Sequence, residues 1–232
     1  MSNLLAYVKP APFDFGAIFG NLFSEWYYYV IGLFCIGAVV FAILILSKNH
    51  KRNNLSDTQK LVYTAVFSAL AFVANYFTIP ISQAFQVSLV AFIGFVCGYV
   101  LGGVLGFTAM FIGDLICAII RPTGMYSPII NVGTALWGFI PGIIFTVFKG
   151  NDYVKAIISF ILCFIFNSFL VNTFGLSVMY SISFSKLLYA LPVKLAVVAI
   201  NAVISIPIMV LLKRILPKDK FNFVVTKNNK DI

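Results

Sequence analysis

Val87–Ile120 reads VSLVAFIGFVCGYVLGGVLGFTAMFIGDLICAII. It is apolar from end to end and too long for one membrane helix, which needs about 20 residues to cross a hydrocarbon core of roughly 30 Å. The Leu101–Gly102–Gly103 triplet is where such a run turns, which predicts two back-to-back spans of roughly 16–18 residues each. The apolar residues follow one another instead of alternating, so a membrane β-barrel is excluded and an all-α, polytopic membrane protein is expected. One charge, Asp114, lies inside this stretch and another, Arg121, closes it.

The chain on either side repeats the pattern. Of the 232 residues 61% are hydrophobic and 10% charged. Further spans are expected at about Trp26–Leu46, Thr58–Phe77, Ile129–Phe148, Lys155–Tyr180 and Leu187–Leu212. Asn54–Leu55–Ser56–Asp57 offers an N-cap for the second of these. Ile79–Gln83 reads as a loop, and Pro122–Thr123–Gly124 as a turn. The count is seven helices, organised as an N-terminal segment 1–47 with one accessory transmembrane helix, a basic linker 48–56, a six-helix membrane domain 57–213 and a polar tail 214–232.

The net charge of +9 could suggest a nucleic-acid partner, but its placement argues for topology. Lys48, Lys51, Arg52 and Lys60 precede the six-helix block, Lys149 and Lys155 interrupt it, and Lys213, Arg214, Lys218, Lys220, Lys227 and Lys230 follow it. With all three groups cytoplasmic the spans alternate without contradiction. Loops 79–86, 121–128 and 181–186 then face outward, in a cell membrane expected to be a bacterial plasma membrane. Cys35, Cys97, Cys117 and Cys163 fall in apolar runs with no zinc spacing, and His50 sits in a basic loop. Neither metal nor cofactor is expected. The first 21 residues, with Lys9, Pro10 and Pro12, do not read as a signal peptide.

Charges in hydrocarbon are costly and tend to mark ligand or ion pathways. Lys194 is the sole charge in Leu187–Leu212. Arg121 and Lys194 both belong to the outer half of the membrane with no evident carboxylate at their depth, which suits an anionic solute; snorkelling is the other reading of Lys194. Asp114, near the midplane, serves either a ligand or proton, or clamps its helix to Asn167, Asn201 or a backbone group. Its distance from Arg121 along the helix, roughly 10 Å at 1.5 Å per residue, argues against a direct pair. Among the aromatics at helix ends and facing loops, Tyr126 and Trp137 stand out as candidate ligand contacts. Ala65 and Ala69, four apart, make a shallow groove for a neighbouring helix, in a partner subunit or within the chain; Gly94, Gly98, Gly102 and Gly106 suit close packing of adjacent helices. No P-loop and no hydrolase motif is present, so the chain does not hydrolyse ATP by itself and no enzymatic activity is expected.

Gly113–Asp114–Leu115–Ile116, the loop Arg121–Pro122–Thr123–Gly124–Met125–Tyr126–Ser127–Pro128 and the helix start Thr134–Ala135–Leu136–Trp137–Gly138 resemble the substrate-binding S component of energy-coupling factor (ECF) transporters. The folate-type branch is the nearest, with its Gly-Asp pair, Phe-Pro-x-Gly-x-Tyr-x-Pro loop and Ala-Leu-x-Gly-Leu helix. Leu191–Pro192–Val193–Lys194 is similar to that branch's Leu-Pro-Ala-Arg, and Asn167, Leu170 and Asn172 resemble its fifth helix. Arg121 stands where the branch has Phe, and Lys194 where it has Arg, a change from a planar fork to a point charge. The resemblance implies a six-helix vitamin-binding subunit, for folate or a related anionic heterocycle, working with a membrane coupling subunit and two cytoplasmic ATPases. It implies Arg121, Lys194, Tyr126, Trp137, Asn131, Asn172 and Asp114 as substrate contacts, with Pro80, Gln83, Pro122 and Gly124 in gating loops and Ala65 and Ala69 facing the coupling subunit. The alternative from a different class is a stand-alone proton-coupled carrier using Asp114.

Overall fold

The computed structural model describes residues 55–80, 86–121, 127–148, 150–173, 175–176 and 189–216. The expected accessory helix, most of the basic linker and nearly all of the polar tail lie outside the described residues, as do Gln83, Pro122, Gly124 and Tyr126.

Six helices occupy the described residues: α1 (Asp57–Tyr76), α2 (Val90–Leu101), α3 (Gly103–Ile120), α4 (Pro128–Val147), α5 (Asp152–Cys163) continued by a π-helical segment (Phe164–Asn172), and α6 (Leu191–Ile215). The helices α3, α4, α5 with its π segment, and α6 are each long and apolar enough to cross a membrane. Helix α1 begins in a capping box: the Ser56 hydroxyl accepts from Gln59 N (3.3 Å) while the Gln59 side chain accepts from Ser56 N (3.2 Å), so two of the otherwise unsatisfied donors at this end are met. The segment read as a loop after α1 carries a two-residue antiparallel ladder, Ile79 opposite Val87 and Pro80 opposite Gln86.

The turn expected at Leu101–Gly103 is a single residue. Gly102 adopts φ +89°, ending α2 and opening α3 at once; a side chain there would be strained. This lays α2 and α3 side by side, and α4 closes on both. A Cβ at Gly98 would overlap the Gly138 carbonyl, one at Gly138 the Gly106 carbonyl, and one at Gly142 the backbone of Gly102 and Gly103. The glycine ridge of α2 and α3 therefore meets a second ridge, Gly138 and Gly142 on α4, in backbone-to-backbone contact. Gly98→Leu is expected to destabilise the protein by more than about 3 kcal/mol, the upper end of ordinary overpacking, because backbone is what must move. Its melting temperature in detergent should fall well below that of the parent; an unchanged value would refute the contact.

Toward the C-terminal ends of α2 and α4 the core is aromatic: Phe95 stacks on Phe160 (centroids 4.9 Å) and Tyr99 meets Phe145 edge-on (4.8 Å). Asp152 accepts from Lys155 (3.3 Å) and Lys213 (2.5 Å), tying the start of α5 to the end of α6. Buried hydroxyls mostly bond to the carbonyl four residues back on their own helix, as Ser68, Ser159 and Ser205 do. The amides of Asn167 and Asn201 and the Lys194 ammonium each also reach a neighbouring element.

Candidate functional site

The end of the bundle where α4 and α6 begin holds Asn131 in the first turn of α4, Asn167 and Ser168 in the π segment, Thr173 just beyond it, and Lys194 in the first turn of α6, all buried. The Asn167 amide, oriented with its nitrogen toward Gly133 O (3.1 Å) and its oxygen toward Trp137 Nε1, joins the π segment to α4. Asn201 on α6 accepts from Phe92 N (3.1 Å) and donates to Ser88 O (3.1 Å), so it caps the N-terminus of α2 from another helix and secures the end of the outer hairpin. Ser127 gives α4 no side-chain cap, but Pro128 at its first position needs none for its missing N–H.

Lys194 stands nearer the start of its helix than its expected span implied. Helix α6 begins at Leu191, not Leu187, so Lys194 occupies its first turn. Its Nζ donates to Thr173 Oγ1 (3.2 Å), and the Thr173 hydroxyl donates to Ser168 O (2.8 Å). No Asp or Glu occurs between Asp152 and Asp219, and the partner found for Lys194 among the described residues is a neutral hydroxyl. The placement is electrostatically adverse in a second way, because a helix N-terminus carries about half a positive charge. Among the described residues this buried ammonium has no counterion, and the dipole of its own helix is unfavourable to it.

Arg121, the other outer cation, is placed oppositely. It is the C-cap of α3, its guanidinium donates to the Tyr76 carbonyl at the end of α1, and its Cζ lies 5.0 Å from the Tyr76 ring centroid. Two helix C-termini, each partially negative, and an aromatic face satisfy it. The structure thus separates the two cations that the sequence had paired: Arg121 sits on the α1–α3 seam and Lys194 between α6 and the end of the π segment.

The other candidates divide similarly. Asp114, half-buried on α3, lies in hydrogen-bonding reach of the Thr134 hydroxyl on α4. It ties two helices together, as one sequence reading held, but through Thr134 and not through Asn167 or Asn201, whose amides are turned toward α4 and α2. Trp137 is not at a helix end; it lies midway along α4, buried, against Gly94 and 6.0 Å from the Phe160 ring. Asn172 is the last residue of the π segment, next to Thr173. Pro80 is in the first strand of the hairpin. Ala65 and Ala69 face outward and line a shallow apolar groove of about 400 Å³ with Leu61, Phe72, Ile112 and Ile116. The internal seam of α1 runs instead through Ser68 and Ala71, against Gly113.

Sequence reading missed Thr173 and the π segment. A signal was present: in an otherwise apolar run, the polar pair Asn167–Ser168 recurs five residues later as Asn172–Thr173. A π turn pairs residues five apart through its hydrogen bonds, where a regular α-helix pairs residues four apart.

A family model described as "ECF transporter, substrate-specific component" matches residues 59–223. The chain belongs to that family. The S component also shares its fold with a solved protein titled "Crystal structure of FolT bound with folic acid", with a TM-score of 0.52 and 20% identity over 67% of this chain and 92% of that one. No curated protein sequence matches it. The S component is a multi-pass protein of the cell membrane and a transport binding subunit, not an enzyme. S components bind a substrate and associate with a membrane coupling subunit and ATPase subunits, which sets aside the stand-alone carrier energised through Asp114.

Proposed function

We propose that this S component captures folate or a related anionic heterocyclic vitamin from the outer side, with Lys194 as the principal contact to a carboxylate. The observation that carries this reading is the burial of Lys194 in the first turn of α6, held by a hydroxyl alone among the described residues. Such an ammonium is compensated when an anion arrives, and the unpaired N–H groups at the start of α6 favour the same charge. Asn131 and Asn172, at the outer ends of their helices, supply amides suited to the donors and acceptors of a heterocycle's edge. Tyr126 is the aromatic candidate for its face. Trp137 acts from below, by holding Asn167. Arg121 reaches a second carboxylate only by leaving Tyr76, so we assign it to closing the outer end between α1 and α3. Asp114 serves the frame. The hairpin flanking 81–85 and the segment 122–126, with Pro80, Gln83, Pro122 and Gly124, form the gate.

The likeness to the FolT fold supports the vitamin class, and Ala65 and Ala69 are assigned to the coupling subunit because the internal seam of α1 does not use them. Native mass spectrometry and titration calorimetry of the full chain in mild detergent test the substrate. One folate per chain is expected, at sub-micromolar affinity. Absence of binding, with another small molecule retained through purification, would replace folate by that molecule.

A further inference from the structure

A hydroxyl that bonds to its own helix ordinarily uses the carbonyl four residues back, as Thr64, Ser68, Ser159 and Ser205 do here. Thr173 instead donates to Ser168 O, five residues back, at 2.8 Å. It does so because it closes the π segment, whose wider turn brings residues five apart into register. A hydroxyl has one proton and two lone pairs. With the proton committed to Ser168 O, what Thr173 turns toward α6 is an acceptor, and Lys194 Nζ meets it at 3.2 Å. Thr173 is fully buried and Lys194 nearly so.

We infer that Thr173 is the positioning residue for Lys194: the π segment sets its hydroxyl as an oriented acceptor that anchors one of the three ammonium N–H bonds and leaves two for the substrate's carboxylate. The inference deepens the proposed substrate reading and rests on it for its binding consequence. A long, flexible lysine stem would otherwise spread its charge over many rotamers, or snorkel to the surface. One fixed hydrogen bond turns it into a defined site. The same geometry supplies the orientation that replacing arginine by lysine gives up. In a regular α-helix the hydroxyl would point about 100° per residue of register away from this position, so the π turn is a requirement of the arrangement.

Two measurements on the full chain in detergent test this. In the first, folate is titrated into the parent protein, Thr173→Ser, Thr173→Val, Lys194→Ala and the double variant Thr173→Val/Lys194→Ala. Loss of the hydroxyl should weaken binding about tenfold, serine should restore it to within about twofold, and valine should add nothing once Lys194 is gone. A valine variant that binds as the parent does, or one whose loss persists in full in the Lys194→Ala background, overturns the inference. The second needs no vitamin: the acylation rate of Lys194 by a water-soluble anhydride, followed by peptide mass spectrometry, should rise several-fold in Thr173→Val and not in Thr173→Ser. Equal rates in the parent and Thr173→Val overturn the inference. If the parent binds no folate, the folate reading falls, and the labelling arm alone decides the role of Thr173.

Discussion

Lys194→Ala is expected to weaken folate binding at least tenfold while leaving the substrate-free protein as stable as the parent, or more so. Truncating one partner of a buried charge contact costs about 2–5 kcal/mol, which at about 1.4 kcal/mol per decade is a loss of one to three orders of magnitude or more. The second half follows from the unliganded geometry. The ammonium is buried, bonded to a hydroxyl and close to the positive end of α6, so removing it takes away an adverse term from the empty protein. Arg121→Ala should behave in the opposite manner. It removes the cation that caps α1 at Tyr76, so the melting temperature should fall whether or not substrate is present. Calorimetry and thermal melts on the two variants separate a substrate ligand from a structural cap. Unchanged folate affinity in Lys194→Ala would take Lys194 out of the site.

Ala65→Trp should abolish uptake without altering substrate affinity. The indole would fill the groove lined by Ala65, Ala69, Phe72 and Ile112, where we propose that a helix of the coupling subunit comes close against small residues. The groove also includes Ser68, whose carbonyl packs on Gly113, so an unchanged melting temperature of the variant is the accompanying check that the fold is kept. Uptake of labelled vitamin by cells supplying the coupling subunit and ATPases, together with copurification of those subunits, measures the effect. Persistence of both would move the docking surface to another helix. The pairing of lost transport with kept binding is informative because the chain has no ATPase motif, so all work on the substrate passes through such a surface.

Much of the frame was legible from residue order alone. Helix ends fell within a few residues where a cap or a break was written in the chain: Ser56 before α1, Gly102 between α2 and α3, Pro128 at α4. What escaped were features that depend on a partner distant in sequence. The ridge opposing Gly98 and Gly106 is Gly138 and Gly142, and nothing local in α4 announces that it is a partner and not a flexible site. Asn201 caps α2 from α6, across more than a hundred residues. The two outer cations looked alike as charges in apolar runs; only their positions at opposite ends of helix dipoles, one satisfied by Tyr76 and the other held by Thr173, distinguish them. Trp137, read as lying toward a helix end, is buried at mid-helix, where Gly94 makes room for it.

At Gly98, Gly106, Gly138 and Gly142 the main chains of α2, α3 and α4 meet directly, while rings such as Tyr99 on Phe145 and Phe107 on Phe139 pack alongside. Side-chain interfaces can slide by swapping rotamers, whereas a seam of bare main chain can only hold or separate. We therefore expect these three helices to move together as one body. Any rearrangement at the proposed site is then expected to fall to α1, to the π-turned end of α5 and to α6, the elements that carry Ala65 and Ala69, Thr173 and Lys194.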